Sequence, residues 1–235
     1  MISAARTHIG KVRASNQDAV LVRPGKYGLF GVADGMGGHK AGDVASKMAV
    51  AVVEKALKDA QPSVDLLRAA IQESNLMIYE EQLGNPDYSG MGTTMTMIWE
   101  DEDRVLLGHV GDSRAYRIRK NEITQVSLDH SMVAEMVRSG YLTEREARVH
   151  PYRNIITRAL GTEEYVEVDV QELDKETGDV YLLCSDGLSE YVQPEHMLFT
   201  VRNNPLEQAA DILLNYALEG GGRDNISLIL AEVTA

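Results

Sequence analysis

The chain has 235 residues, 44% of them hydrophobic, and its 36 acidic residues against 23 basic ones give a formal net charge of -13. This length supports one sizeable core and no linker or low-complexity tract divides it, so we expect a single domain over residues 1–235. The negative charge opposes nucleic-acid binding, and the lone cysteine, Cys184, excludes an internal disulfide. With neither a signal peptide nor a membrane-spanning apolar run, we expect a cytoplasmic monomer that does not bind membranes.

The first part of the chain is predicted to form strands and then two helices. Strands are expected at 2–7 and 19–22, and a third apolar run from Leu29 ends at Asp34. Helices are expected over 41–58 and from the N-cap Ser63 to about Leu83. The apolar stripe of the first helix is Val44, Met48, Ala51, Val52 and Ala56, and that of the second is Leu66, Leu67, Ala70, Ile71 and Ile78.

The middle of the chain changes from strands to short amphipathic pieces. β-Branched and aromatic residues predict an antiparallel meander with strands at 92–99, 104–110, 115–118 and 122–126. A segment from about 127 to 160 then contains the helical piece 131–138 and a capping box at 143–146. Because this insertion is rich in charge and poor in long apolar runs, we expect a mobile flap beside the functional site.

Strands and helices resume after the flap. Strands are predicted at 166–170, 180–184 and 225–233, and helices begin near Pro194 and Pro205, the latter capped by Asn204. Runs of strands and runs of helices, rather than strict alternation, favour two antiparallel sheets packed together with helix pairs outside. The predicted fold class is therefore α+β, a four-layer α-β-β-α sandwich with a flap subdomain.

Four aspartates recur at the ends of apolar runs. Asp34, Asp112 and Asp186 follow such runs and neighbour a glycine, and Asp224 lies two residues before the run from Ile226. A single Asp-Gly pair is adequately explained by a tight turn, but the recurrence favours a shared site. Glycine next to a carboxylate lets the backbone approach whatever the carboxylate holds. The pattern predicts a metal site assembled from several strand ends.

Six short motifs extend this pattern along the chain. They are residues 13–18, Asp34-Gly35-Met36-Gly37-Gly38, Gly92-Thr93-Thr94, Gly111-Asp112-Ser113-Arg114, Ser185-Asp186-Gly187 and Asp224-Asn225. In order and approximate spacing they resemble the bacterial branch of the metal-dependent protein phosphatases of type 2C, over nearly the whole chain. The resemblance implies the same sandwich fold and a metal-dependent hydrolysis of phosphoserine and phosphothreonine.

The resemblance also implies two tightly bound metal ions and a third, weaker one. The implied ligands are Asp34, Asp186 and Asp224 for one ion, Asp34, the Gly35 carbonyl and Asp18 for the second, and Asp112 with Asp186 for the third. The animal branch of the family has a Glu where Gln17 stands. Asp18 is therefore expected to bind its metal more directly.

The chemistry of these residues supports the same assignment. All-oxygen ligation favours Mg²⁺ or Mn²⁺ over Zn²⁺. Two such ions bridged by Asp34 would acidify a shared water that attacks phosphorus, so no protein nucleophile is needed. Arg13 is always charged and is expected to bind the phosphoryl oxygens. His39 is the candidate general acid for the leaving alkoxide.

Structural alternatives exist for several of these residues. Arg13 and Asp18 are spaced like a surface ion pair, and Asp112 has Arg114 nearby as a structural partner. His39 equally suits a helix cap or a packing role.

The remaining histidines carry weaker predictions. His109 lies on an apolar strand and is predicted to be a satisfied core residue. His130 and His150 lie in the flap, where they are candidates for substrate contact, although neither has a ligand-like partner nearby in the sequence.

Three classes of function fit these observations. The favoured one is a protein serine/threonine phosphatase whose partners are phosphorylated proteins and which opposes a bacterial Ser/Thr kinase. The second is a small-molecule phosphomonoesterase with the same dimetal chemistry, and the third is a catalytically silent binding module of this fold. Loss of a metal-bridging aspartate would mark the third class, but Asp34, Asp186 and Asp224 are all present. The motifs do not separate the first two classes, because the choice of substrate depends on the flap and on the surface around the site.

Overall fold

The computed structural model describes residues 1–37 and 41–234. Its strands are, in chain order, β1 (Ile2–His8), β2 (Asp18–Arg23), β3 (Leu29–Met36), β4 (Gly92–Thr93), β5 (Met95–Glu100), β6 (Arg104–Val110), β7 (Arg114–Arg119), β8 (Glu122–Gln125), β9 (Asp169–Asp174), β10 (Val180–Cys184) and β11 (Ile226–Glu232). Its α-helices are α1 (Ala41–Leu57), α2 (Val64–Gly84), α3 (Met132–Arg138), α4 (Glu144–Ala147), α5 (Asp186–Ser189), α6 (Pro194–Asn203) and α7 (Leu206–Glu219), with a 3-10 turn at Pro86–Tyr88.

These strands form two antiparallel sheets. One has the strand order β1-β11-β10-β7-β8, and the other has the order β2-β3-β5-β6-β9, with β4 paired to β3. Helices α1 and α2 cover the outer face of the second sheet, and α6 and α7 cover the outer face of the first. The α+β prediction of a four-layer α-β-β-α sandwich is confirmed.

The apolar runs of the central strands are continuous because both of their faces are covered. In β3, Phe30 and Val32 point into the layer between the sheets, whereas Leu29 and Ala33 point towards the helices α1 and α2. A strand buried on both sides needs apolar residues at every position, which explains why alternation is absent there. The strand ends are where polar residues first appear.

The buried face of α1 differs from the predicted one. Ala45, Ala49, Val53 and Leu57 are buried, whereas Ala51 is exposed. Ala45 and Ala49 let the helix lie close to β3, while the predicted Val44 and Met48 pack against the same core and are only partly buried. For α2 the predicted stripe is confirmed except at one position, which is the exposed Leu66.

The predicted meander is split between the two sheets. Strands β5 and β6 pair with each other, but β7 pairs with β10 and β8 in the opposite sheet. The chain crosses at Gly111, whose φ of +112° lies in the region that favours glycine. The position of this crossing puts the next residue, Asp112, at the end shared by both sheets.

Two smaller boundaries also differ. The strand expected from 166 begins at Asp169, and the preceding Val166 and Val168 pack against the core as irregular chain. Asn204 does not cap α7; it follows the end of α6, where its Nδ2 donates to the carbonyl of Thr200 at 2.9 Å. Pro205 ends up at the N-cap position because it cannot extend α6.

The segment from 127 to 160 contains the short helices α3 and α4 as predicted. Ser131 caps α3, and Thr143 and Glu146 form a reciprocal capping box at α4. Among residues 1–37 and 41–234, no helix combines the length and the apolar composition needed to cross a bilayer.

Candidate metal centre

The first two acids of the site are brought together by strand register. Asp18 at the start of β2 is paired directly with Asp34 near the end of β3. Directly opposed residues of an antiparallel pair project from the same face, so the two carboxylates are neighbours. Asp18 is only 6% exposed, and Asp34 is half-buried. The apolar residues of both strands fix this register, because a slip by one position would turn them out of the core.

The backbone of Asp34 is held by the two threonines of the Gly92-Thr93-Thr94 motif. The Asp34 N–H donates to Oγ1 of Thr94 at 2.9 Å, and its carbonyl accepts from the N–H of Thr94 and from Oγ1 of Thr93, both at 2.9 Å. Thr94 in turn shares a hydroxyl hydrogen bond of 2.8 Å with Ser113. The Gly92-Thr93-Thr94 motif therefore fixes the backbone that carries the Asp34 carboxylate.

Gly35 is required because of the space around it. A Cβ on Gly35 would overlap the carbonyl oxygens of Gly42 in α1 and of Gln17. The Gln17 carbonyl accepts from the Gly35 N–H at 3.2 Å and from the Ser46 hydroxyl at 2.6 Å. The end of β3, the start of α1 and the loop before β2 consequently meet with no room for a side chain.

Asp186 comes from the other sheet, at the junction of β10 and α5. It is the first residue of α5, and Ser185 precedes it as the N-cap residue. The Ser185 hydroxyl donates to Oδ2 of Asp18 at 2.9 Å and accepts from the Ser227 N–H at 3.0 Å. Ser185 thus links the acidic ends of the two sheets, a role that its place in the Ser-Asp-Gly motif did not predict.

Asp224 and Asn225 close the site from the loop before β11. Oδ2 of Asp224 accepts from Nη2 of Arg13 at 2.5 Å, and the Asn225 N–H donates to Oδ1 of Asp224 at 2.8 Å. The buried Asn225 amide accepts from the Gln17 N–H at 2.8 Å and donates to the carbonyls of Ile9 and Ser15 at 2.9 Å each. Asn225 therefore fixes the loop that carries Arg13 and Asp18.

Arg13 does not form the predicted surface ion pair with Asp18. Its guanidinium is bonded to Asp224, and its side chain is 52% exposed. Asp18 has Ser185 as its hydrogen-bond partner. Arg13 therefore stands at the exposed edge of the acidic site.

Asp112 is not paired with Arg114 either. Arg114 makes a forked contact with Asp129, at 2.9 Å from Nε and 2.6 Å from Nη2 to the same Oδ2. The ion pair with Arg114 that the structural alternative proposed for Asp112 is not formed, because Arg114 is bonded to Asp129. Asp112 remains beside Asp186, on the wall of a cavity that both of them line.

The pKa values of four of these acids are raised. Burial raises the pKa of Asp18 and of Asp112 to about 6 each, with charge from Asp224 and from Asp129 as further causes respectively. Burial is also the largest cause of the strongly raised pKa of Asp34, followed by the charges of Asp18 and Asp186. Burial and the charge of Asp112 act in the same way on the pKa of Asp186. Carboxylates this close disfavour one another's ionised form unless a cation compensates.

The donor set fits a hard divalent cation. Oδ1 of Asp18 and Oδ1 of Asp186 are buried and have no hydrogen-bond partner among residues 1–37 and 41–234. Buried carboxylate oxygens of that kind are costly without a cation or a donor. In the part of the chain that the structure describes, no three His, Cys, Asp or Glu side chains already form a complete metal-binding group. Two of the acids are instead bonded to Ser185 and to Arg13.

The predicted site residues that the structure describes are thus gathered at one end of the sandwich. His39, the candidate general acid, lies outside the described residues, and its role stays a prediction. His109 is a satisfied core residue as predicted: its Nδ1 lies 2.9 Å from the Thr96 hydroxyl, and its Nε2 lies 3.0 Å from the Leu128 carbonyl. Burial lowers the pKa of His109 to about 4.

The two flap histidines differ in their surroundings. His130 is buried and hydrogen-bonded to Gly111 and to Asp169, so it does not face a substrate. His150 is half-buried, and its Nδ1 accepts from the Tyr152 N–H at 3.2 Å.

The 127–160 segment lies beside the acids. A cavity of about 570 Å³ separates it from α5 and the start of α6, and Asp112 and Asp186 form part of the cavity wall. Two contacts cross from the segment to the opposite wall, namely Arg148 to Gln193 and Arg153 to Glu190.

Comparison with known proteins identifies the class of protein that this fold and site define. Residues 6–219 match the family described as protein phosphatase 2C. The chain therefore belongs to the protein phosphatase 2C family. The family that the six motifs resemble is confirmed with it.

Individual relatives are bacterial. The chain is 42% identical over 233 residues to the serine/threonine protein phosphatase PstP of Mycobacterium tuberculosis, an alignment covering 98% of this chain and 44% of PstP. It is 39% identical over 236 residues to the serine/threonine phosphatase Stp of Listeria welshimeri, covering 97% of this chain and 94% of Stp. The chain thus spans under half of PstP and nearly all of Stp.

Solved structures agree with the described fold. The crystal structure of the M. tuberculosis phosphatase PstP/Ppp matches with a TM-score of 0.93 at 40% identity, covering 100% of this chain and 99% of that chain. The catalytic domain of PstP in complex with two manganese ions matches with a TM-score of 0.88 at 38% identity, covering 100% and 98%.

Proposed function

We propose that residues 1–235 act as one catalytic domain that removes phosphate from phosphoserine and phosphothreonine of proteins. The observation that carries this proposal is the meeting of aspartates from separate strand ends at one edge of the sandwich, with Arg13 bonded to the outermost of them. The names of the relatives and the two manganese ions in the PstP catalytic domain support it.

Our proposed metal ligands follow the same geometry. Asp34, Asp186 and Asp224 would hold one Mn²⁺ or Mg²⁺ ion, and Asp34, the Gly35 carbonyl and Asp18 the second, while Asp112 and Asp186 would hold a third, weaker ion. When bound, such a pair of ions supplies the acidity that makes water a nucleophile at neutral pH. The partner-free oxygens of Asp18 and Asp186 are the best-prepared ligands, because no protein bond has to be broken.

The protein's own part in the reaction is to bind and orient the phosphoryl group. Arg13 carries a permanent charge and a planar set of donors, of which one is used by Asp224. The Arg13 side chain is half exposed, and its remaining donors would receive the phosphoryl oxygens. The bond to Asp224 limits the rotation of the guanidinium, so less side-chain entropy is lost when substrate binds.

Protein substrates are favoured by the surroundings of the acids. The cavity between the 127–160 flap and α5 is several times larger than a phosphate group, so it leaves room for the chain on either side of a phosphorylated residue. In this proposal the enzyme opposes a Ser/Thr kinase. Its cytoplasmic location and monomeric state stay predictions.

Release of inorganic phosphate from a phosphothreonine peptide, measured with and without Mn²⁺, tests the proposal. A small phosphomonoester serves as the parallel substrate, and Asp34→Ala serves as the inactive control. We expect Mn²⁺-dependent release from the peptide in the parent protein and none in the variant. Turnover of only the small ester would identify a phosphomonoesterase, and absence of turnover on both would identify a binding module.

A further inference from the structure

His130, at the start of the flap, holds the residue that precedes Asp112. The ring Nδ1 of His130 accepts from the Gly111 N–H at 3.0 Å, and the backbone N–H of His130 donates to the Gly111 carbonyl at 2.8 Å. Both backbone polar groups of Gly111 are therefore satisfied by one residue 19 positions later in the chain. His130 is 5% exposed, so water does not compete for these bonds.

The hydrogen-bond partners define the tautomer of this ring. Because Nδ1 accepts from a backbone N–H, the ring proton of neutral His130 is on Nε2. Nε2 lies 3.1 Å from Oδ2 of Asp169, which accepts a hydrogen bond from the Nε2–H group. Nη1 of Arg158 lies 3.0 Å from the same nitrogen, but a protonated Nε2 cannot accept from it, and Nη1 donates to Oδ1 of Asp169 at 2.8 Å. Burial lowers the pKa of His130, which keeps the ring neutral and Nδ1 available as an acceptor.

Gly111 needs such support because of where it lies. It forms the crossing from β6 to β7, its φ is +112°, and a Cβ there would lie 2.5 Å from the Thr94 side chain. A glycine is therefore obligatory, and glycine has the least intrinsic preference for one conformation. The direction in which Asp112 leaves the turn is consequently set by the bonds made to Gly111.

A second histidine holds the same part of the flap against β6. Nε2 of His109 donates to the carbonyl of Leu128 at 3.0 Å, and the two imidazole rings are 4.8 Å apart between centroids. His109 and Asp169 are paired in register across β6 and β9. The start of the flap, the Gly111 turn and β9 are thus joined around these two rings.

We infer that His130 is a positioning residue for Asp112, acting through the hydrogen bond between its Nδ1 and the Gly111 N–H. This inference rests on the proposed function only in giving Asp112 a metal. The hydrogen bond fixes the turn, and the turn aims the carboxylate towards the space it shares with Asp186. A side chain that merely filled the same volume would leave the turn free.

Two variants of His130 separate its two side-chain bonds. In His130→Asn the amide oxygen takes roughly the place of Nδ1 and still accepts from Gly111. In His130→Gln the amide nitrogen takes roughly the place of Nε2 and still donates to Asp169, but nothing accepts from Gly111. His150→Gln is the matched control, since it removes a similar Nδ1 bond, to the Tyr152 N–H, elsewhere in the flap.

The first readout needs neither metal nor substrate. Hydrogen exchange of the Gly111 amide is measured in metal-free protein, along with the thermal midpoint. We expect exchange to rise roughly 3- to 10-fold in His130→Gln, the range that loss of one buried hydrogen bond produces, and to stay near the parent rate in the other two variants. The ring ¹⁵N shifts of the parent protein are expected to show the Nε2–H tautomer, and this measurement stands even if His130→Gln does not fold.

The second readout is the Mn²⁺ dependence of phosphopeptide turnover. We expect His130→Gln to need a several-fold higher Mn²⁺ concentration for half-maximal turnover, with the KM for peptide at saturating Mn²⁺ unchanged. His130→Asn is expected to restore most of the difference.

Three results would overturn the inference: an Nδ1–H tautomer in the parent protein, parent-like Gly111 exchange in His130→Gln, or equal Mn²⁺ shifts in both His130 variants. Failure of the proposed function is distinct. It would appear as an inactive parent protein, while the exchange comparison at Gly111 would still decide the hydrogen bond.

Discussion

Asp18 and Asp34 face each other across β2 and β3, and the charge of Asp18 helps to raise the pKa of Asp34. The Asp18 side chain is restrained by the bond from Ser185 in the opposite sheet. The surrounding apolar strands fix the register and so hold two like charges together. The site is therefore assembled at a cost in stability, which a bound cation would offset.

Replacing Asp34 should separate activity from folding. We expect Asp34→Asn to lower Mn²⁺-dependent turnover by at least about 100-fold, because a shared carboxylate ligand is lost. In metal-free buffer its thermal midpoint should equal or exceed that of the parent protein, because one repelling charge is removed. Phosphate release and a thermal melt of the same samples check both parts.

The control for Asp34→Asn is Asp211→Asn, which changes an exposed carboxylate bonded to Arg6 far from the site. It should leave turnover unchanged and the midpoint nearly so. A metal-free Asp34→Asn protein that melts well below the parent protein would show that Asp34 stabilises the fold.

Asn225 should be a stabilising residue. We expect Asn225→Ala to reduce the free energy of unfolding by about 2 kcal/mol or more, because the Gln17 N–H and two carbonyls lose a buried partner. Asn204→Ala is the matched control, since that amide makes one bond, to Thr200. Urea unfolding of both variants measures the difference, and an Asn225 effect no larger than that of Asn204 would contradict the role assigned to it.

The sequence allowed the acids of the site to be identified because each is marked locally. Asp34 and Asp186 stand where an apolar run stops and a glycine follows, and that pattern survives in the structure as a strand end. Partners that depend on stacking of the sheets had no such mark. Ser185 and Asp18 are 167 positions apart, and β10 and β2 belong to different sheets. Their bond forms only because the two sheets pack against each other.

The errors in the predicted fold have a similar cause. No local pattern shows that β6 and β7 belong to different sheets, because both read as amphipathic or apolar strands with a short connection. Side-chain size misled the prediction for α1, whose alanines face β3. The contact between Arg114 and Asp129 also has no local sign, because the two residues are 15 positions apart with β8 between them.

Arg13 should act mainly in binding. We expect Arg13→Ala to raise the KM for phosphopeptide roughly tenfold with a smaller change in kcat, because its contact with the phosphoryl group exists in the ground state as well. Arg13→Lys should restore part of the loss, since it keeps the charge and not the fork. Arg6→Ala removes an arginine from ion pairs with Asp211 and Glu207 on the surface and should leave the KM unchanged. Equal KM values for Arg13→Ala and Arg6→Ala would exclude a phosphoryl contact.

His109 should make the fold less stable in mild acid. The folded pKa of about 4 lies below the ordinary value of about 6.5, so between these values the unfolded chain binds more protons than the folded one. The contribution of His109 to the free energy of unfolding is fully present above pH 6.5. It is lost as the pH drops towards 4, and the loss is at most about 3 kcal/mol.

The acids of the site titrate in an overlapping range, so the variant His109→Gln is needed to isolate the histidine. Its amide nitrogen can still donate to Leu128, but it has no proton to gain. The difference in unfolding free energy between parent protein and variant should change between pH 7 and pH 4, in favour of the variant at low pH. A difference that does not vary with pH would show that His109 keeps its ordinary pKa in the fold.

Asp112 allows the sharpest distinction between a metal ligand and a structural acid. Because Arg114 is bonded to Asp129, Asp112→Ala leaves no cation unpaired. We therefore expect lower turnover on phosphopeptide and a nearly unchanged thermal midpoint. Asp129→Ala, in contrast, should lower the free energy of unfolding by roughly 3 kcal/mol, because it leaves the half-buried Arg114 without its forked partner.

Turnover against Mn²⁺ concentration and urea unfolding, measured on both variants, give the two quantities side by side. If Asp112→Ala is destabilised as much as Asp129→Ala while each folded molecule turns over normally, Asp112 serves the strand end and holds no third metal.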